Sequence, residues 1–334
     1  MASNIHDVAR LAGVSPRTVS NVVNNFIHVR PETRERVQKA IAALDYRPNI
    51  SARRLRQGLT KMIGFAVPEL SQPYFSELSE LFEIAARKRG YTLIATQTGG
   101  LKEREYQMLK EFSSHMVDGL IYSPMSLTKE DLHANPPLVP TVLIGEQISS
   151  PNHFNIAIDN SRAIEEITTN LINAGRTKIA ILGAYHSSQY RSSRLRLEGY
   201  HRALDQAGIP RDEQLILYTD QFGRSAGRSG VHDAVTAGIT FDAIVCLNDV
   251  LALGAIRALA DLGISVPSEV AITGFDDIED SAFCVPSLTT ISPDKQEIAD
   301  TAISTLLALI EKTAGEPADI EVAYTHQVRE STAS

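Results

Sequence analysis

The sequence is poor in cysteine, and it contains no run of eighteen consecutive apolar residues. Its two cysteines, Cys246 and Cys284, lie in apolar surroundings without metal-site spacing, so we expect two buried free thiols. A transmembrane helix needs about 20 apolar residues, and none is available. The helix pattern begins almost at residue 1, without the apolar region of a signal peptide. These absences predict a cytoplasmic protein with no membrane partner.

Motifs of common enzyme classes are also missing. There is no Gly-x-Gly-x-x-Gly, no phosphate-binding loop, no His-Glu-x-x-His and no Gly-x-Ser-x-Gly. The nine histidines show no metal-ligand spacing. Glu146 and Asp276 are the one conceivable carboxylate pair for glycoside chemistry. We therefore expect no enzymatic activity, no metal and no cofactor.

Charge is divided unevenly along the chain. Residues 1–60 contain 10 Lys and Arg against 4 Asp and Glu, a net charge of +6. The whole chain carries −8, which leaves −14 on residues 61–334. A basic head on an acidic body places the attraction for DNA phosphates in the head.

The sequence of the basic head predicts three short helices. Ser15 is a suitable cap and Pro16 a suitable first residue for the second helix, which follows a tight turn at Gly13. Apolar residues recur at helical spacing on one face of each helix: Ile5, Val8, Ala9 and Ala12; Val19, Val22 and Val23; and Val37, Ala40, Ile41 and Leu44. This pattern is typical of a helix-turn-helix DNA-binding domain, although a plain helical hairpin shares the apolar spacing.

Four segments of the head resemble the lactose/galactose repressor (LacI/GalR) family in order and spacing. They are Asp7-Val-Ala-Arg-Leu-Ala-Gly-Val-Ser15, Thr18-Val-Ser20, Pro31-Glu-Thr-Arg34 and Tyr46-Arg-Pro-Asn49. The resemblance implies a helix-turn-helix domain over 1–48, a hinge helix and linker over 49–60, and an effector-binding and dimerisation domain over 61–334.

The same resemblance assigns DNA-contacting residues on the second helix. Arg17 has the geometry to read guanine and Asn21 to read adenine, although many family members have arginine at the position of Asn21. Both could instead touch only phosphate. The other head residues expected at DNA, by base, phosphate or capping contacts, are Asn4, Ser15, Pro16, Thr18, Ser20, Asn24 and His28, and Arg30 and Arg34 are equally compatible with solvated surface.

The hinge segment, residues 49–60, gives a more specific prediction than the second helix does. By resemblance, Leu55 from each of two subunits enters the minor groove at the operator centre and kinks the duplex. Asn49, Ala52, Arg53 and Arg56 are expected at the DNA beside it. The alternative is an ordinary linker helix with Leu55 packed on the body.

From residue 61 the chain alternates short apolar strands with amphipathic helices. Strands are predicted at 62–67, 91–96, 119–123, 141–144, 178–183, 214–218, 243–247 and 270–273. Such alternation indicates an α/β fold with doubly wound parallel sheets. The resemblance implies a two-lobed, periplasmic-binding-protein-like body, with an N-lobe of about 61–159 and 291–322 and a C-lobe of about 160–288. Crossings between the lobes are expected near 158–161, 288–292 and 321.

Residues at the expected cleft between the lobes match family positions for effector binding. They are Gln72, Tyr74, Phe75, Glu146, Arg196, Phe222, Asn248 and Asp276. Aromatic faces with amide, carboxylate and guanidinium partners suit a polyhydroxylated ligand, so a sugar is favoured. Plainer roles are expected nearby, where Asp249 is a helix cap, Tyr200 belongs to the core, and Gly183 and Gly274 serve turns.

Together these expectations describe a homodimeric, bacterial nucleoid-associated repressor of carbohydrate-utilisation genes on a pseudo-palindromic DNA operator. A sugar inducer changes the angle between the lobes and separates the two hinges, although some family members use a corepressor. No leucine heptads follow the last helix, which favours a dimer. The alternative is a sugar-binding protein of the periplasmic type, without a regulatory role.

Overall fold

The computed structural model describes residues 4–23, 26–46, 59–112, 116–145, 148, 151–185 and 191–333. The chain divides into two compact units, residues 1–60 and residues 61–334. The first unit is referred to below as the head and the second as the body.

The head is built from three helices around a small apolar core. They are α1 (Ile5–Ala12), α2 (Pro16–Val23) and α3 (Pro31–Ala43). Each helix contributes one completely buried valine to this core: Val8, Val19 and Val37. Helix α1 ends at Gly13, whose φ of 64° is the left-handed conformation that glycine adopts without steric cost.

The first lobe of the body is a six-stranded sheet with its helices. The strands are β1 (Met62–Val67), β2 (Thr92–Gln97), β3 (Gly119–Tyr122), β4 (Thr141–Ile144), β5 (Phe154–Ala157) and β11 (Asp319–Glu321). Their order is β11-β5-β4-β3-β1-β2, and every pairing is parallel. The helices are α4 (Pro73–Lys88), α5 (Lys102–Glu111), α6 (Lys129–Ala134) and α12 (Lys295–Ile310), of which α12 packs on α4 and the sheet.

The second lobe repeats this architecture with a second sheet. Its strands are β6 (Ile179–Ala184), β7 (Ile216–Tyr218), β8 (Ala243–Cys246), β9 (Ala271–Phe275), β10 (Thr289–Pro293) and β12 (Tyr324–Gln327). Their order is β12-β10-β9-β8-β6-β7, and only β12 is antiparallel to its neighbour. The helices are α7 (Asn160–Asn173), α8 (Arg191–Ala207), α9 (Arg224–Thr236), α10 (Asp249–Asp261) and α11 (Glu279–Phe283).

Two helix pairs of the second lobe approach so closely that only glycine fits at the crossing. A Cβ on Gly199 of α8 would lie 2.0 Å from the carbonyl oxygen of Ser161 on α7. A Cβ on Gly227 of α9 would lie 2.2 Å from the carbonyl oxygen of Leu251 on α10. Backbone contact at this range holds each pair rigidly over the sheet.

The predicted α/β fold with two doubly wound sheets is confirmed, and the prediction missed four strands: β5, β10, β11 and β12. β10 belongs to the second sheet, so the chain returns to the first lobe after Pro293, immediately beyond the crossing expected near 288–292. Its sequence, Thr-Thr-Ile-Ser-Pro, lacks the apolar run by which the other strands were recognised.

In the described part of the chain, no helix is both long and apolar enough to span a bilayer.

Candidate functional site

Helix α2 presents a polar, open face in the head. Ser15 precedes the helix, and its Oγ accepts the backbone N–H of Thr18 at 3.1 Å and pairs with the Thr18 hydroxyl at 2.9 Å. Arg17 is exposed and Asn21 is half-buried on the same helix. Ser15 and Thr18 therefore stabilise the start of α2. Arg17, the second residue of this helix, points into solvent.

Three other head residues considered for DNA contact have structural partners of their own. The Asn4 side chain caps α1 by accepting the N–H groups of His6 and Asp7, at 2.8 and 3.2 Å. Arg34 donates to the Phe26 carbonyl at 2.7 Å, and the His28 ring packs edge-on against Phe26. These contacts shape the loop between α2 and α3. The predicted contacts Asn24, Asn49, Ala52, Arg53, Leu55 and Arg56 lie outside the described residues.

The body contains a cleft of about 330 Å³ lined by both lobes. Its walls are loops that follow strands β1, β2, β3, β4, β6, β7, β8 and β9, so the carboxyl ends of both sheets face it. This is the usual position of a ligand site in open α/β sheets. Seven of the eight predicted effector residues line it: Gln72, Tyr74, Phe75, Arg196, Phe222, Asn248 and Asp276. The eighth, Glu146, lies outside the described residues.

Arg196 is held in one orientation at the floor of the cleft. Its guanidinium lies 3.5 Å from the centroid of the Phe275 ring, and its Nε donates to Asn160 Oδ1 at 2.8 Å. A further N–H donates to the carbonyl of Leu247, at the end of β8. A stacked and hydrogen-bonded guanidinium loses little conformational entropy when a ligand binds, which favours directional contacts.

An aromatic pair also lines the cleft, and both lobes hydrogen-bond to the backbone of one of its members. The Phe222 ring lies 4.9 Å from the Tyr185 ring. The Phe222 carbonyl accepts from Gln72 Nε2 of the first lobe at 3.0 Å and from Asn248 Nδ2 of the second at 3.3 Å. The Phe222 carbonyl therefore links the two lobes at the cleft.

The start of α10 differs from the prediction. Asn248, not Asp249, caps the helix by accepting the N–H of Leu251 at 2.7 Å. Asp249 is fully buried and accepts from Ser281 Oγ at 2.8 Å, Thr290 Oγ1 at 2.5 Å and Ile278 N at 2.9 Å. Burial outweighs these bonds and raises the pKa of Asp249 to about 6.

The Asp249 carboxylate also explains why residue 274, which was expected to serve a turn, is glycine. Gly274 lies within β9, and a Cβ there would be 2.0 Å from Asp249 Oδ1. Gly274 is thus needed for space rather than for a turn. Gly183 also lies within a strand, where its φ of +106° accompanies an irregular register of β6 against β7.

Asp276 has a strongly raised pKa in the cleft. Burial is the main cause that raises its pKa to about 8, with Asp249 and Glu77 adding to the effect and Arg196 and Lys295 opposing it. Its backbone φ is 109° and that of Asp277 is 49°. Residues other than glycine rarely adopt such positive φ values.

Several cleft residues were not predicted. Tyr185 follows β6, Asp220 follows β7 and Asn160 follows the first crossing between the lobes. Their position directly after a strand or crossing was the available signal. As predicted, Tyr200 is core, 1% exposed, and its hydroxyl donates to the Ile179 carbonyl at 2.7 Å.

The two thiols differ in environment. Cys246 is buried in β8 as expected, whereas Cys284 is only partly buried, so the expectation of two buried thiols was wrong for Cys284. Its neighbours Phe283 and Val285 are 78% and 88% exposed, which places Cys284 at the surface of the second lobe. Within the described ranges, no three His, Cys, Asp or Glu side chains are grouped for a metal ion.

Both parts of the chain are similar to known proteins. Residues 4–49 match the family described as bacterial regulatory proteins, lacI family, and residues 168–332 match the periplasmic binding protein-like domain. The HTH-type transcriptional regulator RegA of Clostridium saccharobutylicum is 33% identical over 99% of this chain and 100% of that protein. The HTH-type transcriptional regulator GalR of Escherichia coli (strain K12) is 32% identical over 92% of this chain and 89% of that protein.

Solved structures of regulators resemble the whole chain. The lac repressor dimer bound to operator and the anti-inducer ONPF is 28% identical, with a TM-score of 0.88 over 100% of both chains. The complex of the transcriptional regulator CelR with cellobiose is 26% identical, with a TM-score of 0.73 over 98% of this chain and 99% of that one.

Proposed function

This chain belongs to the lacI family of bacterial regulatory proteins, and from that premise we propose that it is a repressor of carbohydrate-utilisation genes released from its operator by a sugar. Family membership makes it a ligand-responsive, sequence-specific DNA-binding transcriptional regulator. The observation that carries the sugar proposal is the cleft of about 330 Å³, whose lining contains both a fixed guanidinium and an aromatic pair.

A sugar suits this cleft for two reasons. Each hydroxyl that leaves water must find a hydrogen-bond partner, and Arg196, Asn248 and Asp276 offer donors and acceptors at the cleft surface. The paired rings of Phe222 and Tyr185 offer apolar area for the C–H face of a sugar ring. Cellobiose occupies the related regulator CelR, which agrees with this chemistry.

We further propose that Arg17 and Asn21 read bases from the start of α2, with Pro16 beside them and Ser15, Thr18 and Ser20 at the backbone. The exposed position of Arg17 on a capped helix supports this assignment. Leu55, by family position, wedges into the minor groove between flanking arginines.

Two copies of the chain are proposed to associate through their bodies, so that two heads meet two half-sites. The related lac repressor is a dimer on its operator. We place the protein in the cytoplasm at the nucleoid and assign it no catalytic activity, since its relatives are regulators.

The test is selection of genomic DNA fragments by the purified full chain at near-physiological salt, with and without a sugar panel that includes cellobiose and galactose. We expect one pseudo-palindrome to be enriched and one sugar to abolish its enrichment. Arg196→Met should keep the enrichment and lose the response to sugar. Arg194→Met, which changes an exposed arginine on the same helix, is the matched control and should behave like the wild type.

If enrichment requires an added sugar, the sugar acts as a corepressor and not as an inducer. If no sequence is enriched under any condition, the repressor proposal is wrong. A protein that binds a sugar but selects no DNA would instead support the periplasmic-type alternative.

A further inference from the structure

The turn between β9 and α11 carries two consecutive strained residues at the cleft. Asp276 and Asp277 both have positive φ, 109° and 49°, although neither is glycine. Such conformations persist only where surrounding contacts over-determine them. The contacts that hold this turn therefore decide whether the Asp276 side chain faces the cleft.

Some of the contacts that stabilise this turn come from the second lobe. The Asp277 carboxylate accepts from Arg329 Nη2 at 2.7 Å and from Ser292 Oγ at 2.8 Å. The Asp276 N–H donates to the Ile291 carbonyl at 2.9 Å. These bonds fix the Asp277 side chain and the entry to the turn. Asp249 holds the Ile278 N–H, which leaves the Asp277 carbonyl and the Glu279 N–H to other partners.

The first lobe supplies those partners. Lys295, the first residue of α12, donates through Nζ to the Asp277 carbonyl at 2.8 Å. Glu77, in the second turn of α4, accepts the N–H of Glu279 through Oε1 at 3.1 Å. The other oxygen of Glu77 forms an ion pair with Lys295 Nζ, whose side chain is 13% exposed. One ion pair on the first lobe thus engages backbone groups on both sides of the turn.

We propose that Glu77 and Lys295 are positioning residues that hold the Asp276–Asp277 turn of the second lobe in its cleft-facing conformation. The inference rests on the proposed effector cleft, because it assigns these residues a role in shaping that cleft. Glu77 also lies one helical turn after Tyr74, which lines the same cleft.

The arrangement makes the shape of the site depend on lobe separation. Both first-lobe contacts end on backbone atoms of the second lobe, at hydrogen-bond range. A hydrogen bond weakens steeply once its distance or angle departs from that range, so opening the lobes removes both together. The strained turn then loses two of its supports, and Asp276 is no longer preorganised for a ligand.

The first experiment needs no ligand. Hydrogen–deuterium exchange of the full chain is followed on peptides covering 276–283 in the wild type and in Glu77→Ala. We expect the Glu279 amide to exchange at least tenfold faster in the variant. Glu80→Ala, an exposed glutamate on the same helix, is the control and should exchange like the wild type. Unchanged exchange in Glu77→Ala, or equal acceleration in the control, would overturn the proposal.

Charge exchange separates positioning from simple ion pairing. The double variant Glu77→Lys with Lys295→Glu restores opposite charges but places a cation against the Glu279 N–H and an anion against the Asp277 carbonyl. We expect no rescue from it. Glu77→Gln and Lys295→Arg, which keep an acceptor and a donor in place, should retain most of the protection. They also serve if the larger changes prevent folding. Full rescue by the double variant would refute the backbone-directed role.

A carboxyl titration gives a second, independent readout. The ¹³C signal of Asp276, assigned with Asp276→Asn, is followed against pH in the wild type and in Lys295→Met. If the turn stayed in place, loss of a nearby cation would raise the pKa of Asp276. If the turn relaxes towards water, that pKa falls towards the ordinary aspartate range, which is the result we expect. A rise would overturn the proposal, and neither outcome depends on whether the effector is a sugar.

Discussion

Asp276→Asn gives the most direct test of the electrostatics of the cleft. The pKa of Asp276 is raised to about 8, so between about pH 4 and 8 the folded protein keeps this carboxyl protonated while the unfolded chain ionises it. Stability from this group is therefore complete below about pH 4 and is lost as pH rises through 8. Asparagine has nearly the same shape and does not ionise, so the variant should lack this loss.

The magnitude follows from the size of the shift. One pKa unit corresponds to about 1.4 kcal/mol, and the shift from 3.8 to about 8 sets an upper limit near 6 kcal/mol. Because Asp276 borders an open cleft, water reduces this limit, and we expect about 2–3 kcal/mol. The variant should match the wild type at pH 4.5 and exceed its free energy of unfolding by that amount at pH 9.

Urea unfolding followed by circular dichroism between pH 4.5 and 9 provides the measurement. Asp249, whose pKa is raised to about 6, titrates in both proteins, so the difference between them reports Asp276 together with its coupling to Asp249. Asp220→Asn, which removes an exposed carboxylate at the cleft, is the control and should keep the wild-type profile. Parallel profiles for the wild type and Asp276→Asn, or a less stable variant at pH 9, would refute the reasoning.

Three further substitutions test other parts of the molecule. Gly274→Ala places a methyl group 2.0 Å from Asp249 Oδ1 and should cost about 2–4 kcal/mol in urea unfolding, whereas Gly315→Ala, with open space around it, should cost almost nothing. Arg17→Ala should weaken operator binding by about 1–3 kcal/mol and relax base preference at one position in a binding-site selection; a uniform loss on all sequences would mean a phosphate contact only. Leu55→Ala, outside the described residues, should reduce operator affinity in gel-shift titrations far more than affinity for random DNA, and an equal loss on both would contradict the minor-groove wedge.

The head could be predicted from sequence because its signals are local. Caps, turns and apolar spacing act within four residues, as the Ser15–Thr18 bond and the left-handed Gly13 illustrate. The eight strands that were predicted likewise carry their own apolar runs. Strand β10 escaped prediction because its polar residues are paired only in the folded lobe, where Thr290 bonds to Asp249 and Ser292 to Asp277.

The candidate cleft was foreseen in its residues but not in its internal bonds. Seven predicted side chains line it, and all of them had been assigned to the cleft by their match to family positions. The buried role of Asp249 and the aromatic partner Tyr185 were missed. Each depends on a neighbour contributed by a different loop, and spacing along the chain carries no record of such neighbours.

The sequence by itself therefore determined the family through its motifs, and the helical head and the α/β elements of the body through local periodicity; the division of the body into two lobes followed from the family resemblance. Only the tertiary structure decided the strained turn at Asp276 and its support by the Glu77–Lys295 pair. Those two partners are 218 residues apart in the chain. Their meeting depends on where the crossings between the lobes place α4 against α12, which no local preference of the backbone encodes.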